Sequence, residues 1–67
     1  MNKKEMIEHL NACLINCDRA INYYKKQLEK ESLETYINEW LDMIKNQEEQ
    51  KVKYKELIDK IEQLDIE

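Results

Sequence analysis

The stretch IEHLNACLINCDRAINYYKKQL, residues 7–28, decides the fold. Its apolar residues fall at Ile7, Leu10, Leu14, Cys17, Ile21, Tyr24 and Leu28, alternately three and four positions apart. An α-helix repeats every 3.6 residues, so this spacing lines all of them along one stripe, the a and d positions of a heptad repeat. A strand, with a period of two, does not accommodate it. Met6, Cys13 and Ala20 stand beside the stripe at g positions, where small side chains let a neighbouring helix come close. Asn11, Asp18, Arg19, Asn22, Lys25 and Lys26 fall on the remaining faces. The stretch reads as one amphipathic helix.

Beyond Leu28 the register slips. The next apolar residue, Leu33, is five positions on, and Glu29, Lys30, Glu31 and Ser32 between them are all polar. Ser32 suits a helix N-cap and Glu34 a first helical turn, while Lys25, Lys26 and Lys30 suit a helix C-terminus. A turn near 29–32 is therefore expected. A second seam follows at Leu33, Ile37, Trp40, Ile44, Gln47, Lys51, Tyr54, Ile58 and Ile61, apolar at both ends and polar in the middle. Tyr36, Leu41 and Met43 widen its first part, and Leu57 and Leu64 its last, which is the mark of a helix with more than one neighbour. Glu49 with Lys53 and Glu56 with Lys60 form i,i+4 pairs on an exposed face.

The expected fold is all-α: one domain over 1–67, an antiparallel hairpin of helices about 3–29 and 33–65. Gln47 and Lys51 then form a polar layer that sets alignment. The alternative is a three-helix bundle with a break near Asn46, where Glu49 could complete a capping box. Folding the chain about residues 30–31 makes facing positions sum to about 61, so that Ile7 meets Tyr54. Residues 58–66 then project roughly 12 Å beyond the first helix at about 1.5 Å per residue. Leu57, Ile58, Ile61 and Leu64 on that overhang require a cover, and a second copy completing a four-helix bundle is the expected one.

Composition supports this architecture and limits the chemistry. The chain of 67 residues has no glycine and no proline, so the tight corners of a small β fold and any phosphate-cradling loop are missing. A chain this short buries only about 60% of its unfolded surface, and such chains usually need a staple, a metal or a partner. The net charge of −4 argues against a nucleic-acid surface. It is divided: residues 1–30 carry six basic and four acidic side chains, residues 31–67 five and eleven, which gives +2 and −6. No apolar run has the length of a signal peptide or a membrane span, so a cytoplasmic protein with reduced cysteines is expected.

His9, Cys13 and Cys17 lie four residues apart on one helix and carry soft or borderline metal ligands. The first and third are about 12 Å apart along the axis, too far to share one ion, so no metal site is assigned and none of the three is given a catalytic role. No cofactor is expected. The sequence thus points to a small non-enzymatic protein–protein interaction module that pairs with itself and with another protein through Tyr36, Trp40, Leu41, Met43, Leu57, Ile58, Ile61 and Leu64. A purely structural subunit of a larger complex, or a Cys/His metal or redox sensor, are the other readings.

Overall fold

The computed structural model describes residues 2–64, which form two helices, α1 (Lys3–Lys30) and α2 (Glu34–Glu62), packed antiparallel as a hairpin. α1 starts where the Asn2 side chain accepts the Glu5 backbone N–H at 2.8 Å, satisfying one of the four donors that a helix start leaves open. It ends at Glu31, whose N–H still reaches the Leu28 carbonyl at 3.2 Å while its ψ of 135° turns the chain extended.

Ser32 does not cap α2, contrary to the expectation. Leu33 holds that position: its carbonyl accepts the Ile37 N–H at 3.0 Å, and no side chain caps the helix. The Glu31 carboxylate takes the Leu33 N–H instead, at 3.3 Å. With no glycine to enter a left-handed turn, and no positive φ among the described residues, the reversal is spread over 31–33. Ser32 falls in the middle of that connection, one residue too early to cap.

α2 runs unbroken through Asn46, so the three-helix alternative does not form. It ends at Glu62, with residues 63–64 in a turn; the expected limit at 65 lies outside the described residues. Every a and d residue of α1 from Ile7 to Leu28, and every seam residue of α2 from Ile37 to Ile61, is withdrawn at least in part from solvent. Among them only Cys17 and Ile21, near the middle, are buried, and each keeps 5–6% of its surface in water.

The pairing along the seam differs from the expected one. Tyr24 packs on Trp40 rather than Ile37, and Met6 and Leu10 share a groove with Leu57 and Ile61. Lys3 Nζ donates to the carbonyls of Glu62 at 3.0 Å and Leu64 at 3.2 Å. Facing positions therefore sum to about 64–69, not 61, because the connection at 31–33 moves the fold point. α2 has slid about a turn and a half toward the connection, which draws its end back level with the start of α1. The overhang is gone, and Ile58 and Ile61 lie half-buried against α1.

Two polar contacts hold this register. Lys51, in the middle of the α2 seam, extends to Asp18 at 2.6 Å, its side chain 22% exposed against 55% for the acid. Its stem lies along the seam while its head reaches the water-facing edge. At the far end Lys3 covers carbonyls that the α2 terminus leaves open, where a cation also meets the negative end of the helix dipole.

The hydrogen bond to Asp18 and the charge of that carboxylate hold the Lys51 ammonium above the ordinary lysine range, against an opposing cost of desolvation. Cys13 and desolvation beside α1 similarly hold the Tyr54 phenol above its ordinary range. Both groups bind their protons more tightly when folded, so this stability is present below the unfolded pKa values and is lost as pH rises through the folded ones. Urea titrations should show stability falling above about pH 10. Lys51→Met should flatten that fall, whereas Lys26→Met on the exposed outer face of α1 should leave it unchanged.

Candidate interaction surface

The hairpin divides the eight residues singled out from sequence. Trp40, Ile58 and Ile61 belong to the seam, whereas Tyr36, Leu41, Met43, Leu57 and Leu64 are exposed. Four of these five share a geometry. Tyr36, Met43, Leu57 and Leu64, with Gln50 among them, recur every seven residues at the g positions of α2. In an antiparallel pair the g positions of the two helices flank the same side of the seam. The groove formed by Met6, His9, Leu10, Leu57 and Ile61 shows this directly, since Met6 and Leu57 are both g residues.

This side therefore carries Met6, Cys13, Ala20 and Gln27 from α1 and Tyr36, Met43, Gln50, Leu57 and Leu64 from α2, without one charge among nine positions. The e positions on the other side are Lys4, Asn11, Asp18, Lys25, Glu34, Leu41, Glu48, Lys55 and Glu62, of which seven are charged. The contrast exceeds anything composition explains, because 39% of the chain is charged. Leu41 consequently stands apart from Tyr36 and Met43, among charged neighbours. Ile15 and Val52 are exposed at b positions on that same charged side.

Tyr23 stands at a c position of α1, next to the g line. Although more than half exposed, its ring meets Trp40 edge-on at 6.4 Å and Tyr24 at 5.9 Å, and Tyr24 lies 5.8 Å from Trp40. Ring centroids at 4.5–7 Å in edge or tilted geometry are favourable contacts. The cluster ties the g side of the hairpin to the seam near the connection. The Trp40 indole N–H is shut off from solvent with no acceptor among the described residues.

The metal candidates separate. His9 Nε2 lies 3.8 Å from Cys13 Sγ, one turn apart on α1, while Cys17 is buried in the seam. Tyr54 of α2 adjoins Cys13. Among the described residues, no three His, Cys, Asp or Glu side chains converge as a metal site requires. Among the same residues, no helix is long and apolar enough to cross a membrane.

Trp40 provides a test of what this region contributes to stability. Trp40→Phe keeps an aromatic body and removes the unpaired donor, so urea unfolding should show a change within about 1 kcal/mol of zero. Trp40→Ala should cost about 3–5 kcal/mol, enough to unfold much of the population.

Matched against protein-family models, curated proteins and solved structures, the chain shows no similarity to any of them.

Proposed function

We propose that the protein is a small, non-enzymatic interaction module that works through the uncharged side of its hairpin. One observation carries this reading: nine g positions without a charge, opposite nine e positions of which seven are charged. A hairpin that functioned alone would gain solubility from charges on both sides of its seam, and e and g are where coiled coils usually place them. Depletion of charge with enrichment of Met and aromatic residues is what the centre of a protein interface shows. Tyr36, Met43 and Leu57 are exposed yet regularly spaced, so a partner helix laid along the groove would meet them as successive anchors.

The chain's own chemistry adds support. There is no glycine for a nucleotide loop, and the single histidine contacts a thiol on its own helix rather than an acid–base partner. A structural subunit of a larger assembly would present the same surface, and differs only in what occupies it.

A photoreactive residue tests the side directly. Placed at Met43 in living host cells, it should give discrete protein adducts on illumination; placed at Glu49, on the outer face of α2, it should give none above background. Equal labelling from both positions, or none from Met43, would overturn the reading.

A further inference from the structure

We propose that the occupant of the uncharged side is a second copy of this chain, related by a two-fold axis that lies in the face and crosses the helices at right angles. The proposal rests on the reading of that side as an interaction surface and deepens it by naming the partner and its orientation. α2 then packs antiparallel on α2 of the partner, and α1 on α1.

Surface area is the first argument. A folded monomer of 8.2 kDa exposes about 4,500 Å². This chain exposes 5401 Å², an excess of about 900 Å² against the roughly 800 Å² that each partner buries in a standard interface. The shape agrees: the hairpin measures 51 × 14 × 13 Å, with a radius of gyration of 15.5 Å where about 11 Å is usual for this length. Its face, 51 by 14 Å, has a footprint of about 700 Å², matching the deficit.

Charge selects the partner and the axis. Along the rim outside the g line, the c positions of α2 hold Glu39 towards one end and Lys53 and Lys60 towards the other. The midpoint of α2, Glu34–Glu62, is residue 48. A two-fold axis across the helices at that level sets Glu39 level with residue 57 of the partner, between its Lys53 and Lys60. The acid of each copy thus meets two bases of the other. Side chains interleave by the same operation: Leu57 falls level with 39, between the partner's Tyr36 and Met43. The other two-fold, running along the helices, would lay α2 over the partner's α1, where Lys53 and Lys60 find Asn2, His9 and Asn16 and no carboxylate on the rim. The same axis crosses α1 level with residue 48, which the facing groups Cys13 and Tyr54, and Asp18 and Lys51, place at about residues 19–21. Ala20 of each copy then lies beside the axis near its mate, and this small g residue permits close approach.

Sedimentation equilibrium of the full chain at micromolar concentration should give twice the 8.2 kDa chain mass. Leu57→Glu should weaken dimerisation by about 30-fold or more while circular dichroism stays helical. Glu39→Lys, exposed and off the seam, should weaken it roughly tenfold at low salt. Adding Lys53→Glu and Lys60→Glu to that variant should restore it. Ala20→Cys should form an interchain disulfide with the same position of the partner under mild oxidation. A dimer that ignores the charge reversals and yields no such disulfide overturns the proposed axis. A monomer whose Met43 photoadducts are with other proteins overturns the second copy but leaves the interaction surface standing. A monomer with no adducts overturns both.

Discussion

Two helices lying side by side share one line of contact, and each can bury only the stripe that faces that line. This limit governs the whole molecule. The seam from Ile7 to Leu28 against Ile37 to Ile61 buries just two of the described residues, Cys17 and Ile21, and neither of them completely. A hairpin so built is held by many half-buried side chains rather than by a core, and each contributes less than the 1.5–3 kcal/mol of full burial. The aromatic group of Tyr23, Tyr24 and Trp40 partly compensates, because large rings cover more of their neighbours in a thin structure. What the seam cannot bury must either be polar or find another surface. The e side follows the first course and the g side the second.

A seam of repeating heptads does not by itself fix which residue faces which, since a slip by seven restores the same pattern. Here the ambiguity is removed by polar groups at two levels. Lys51 interrupts the apolar seam of α2 and finds Asp18 at only one alignment. Lys3 finds the open carbonyls of Glu62 and Leu64 at the far end. Neither contact needs to be strong to be selective, because the wrong alignment strands a lysine amid apolar neighbours.

The residues that form the seam were legible from their spacing alone, and so was the helix through Asn46, where no glycine or proline offered a break. The alignment was not. Its error traces to the connection: Leu33 fits the apolar repeat and reads as the first seam residue, yet it caps α2 and stands exposed. A three-residue connection then replaces a tighter corner, and every facing pair shifts by about a turn and a half. The apparent overhang of Ile58, Ile61 and Leu64 came from that shift. The uncharged side was present in the sequence as a seven-residue recurrence of Tyr36, Met43, Leu57 and Leu64, but recognising it as one surface with Met6 and Cys13 required knowing that the helices run antiparallel. The orphaned Trp40 donor and the contact of Tyr23 with that ring depend on side-chain placement, which no periodicity carries.

The aromatic group also lies close to the connection, and this bears on how the chain finds its fold. Bringing Tyr24 to Trp40 closes a segment of 16 residues, whereas bringing Lys3 to Glu62 closes one of 59. The entropy of closure differs by about 1 kcal/mol in favour of the shorter loop. The most favourable ring contacts are thus also the cheapest to reach. Once they form, each further turn of the seam adds at little extra entropic cost, and the helices zip from the connection towards the tip where Lys3 sits. Low contact order at the start and a polar latch at the finish favour fast folding by a single route, with fraying confined to the open end.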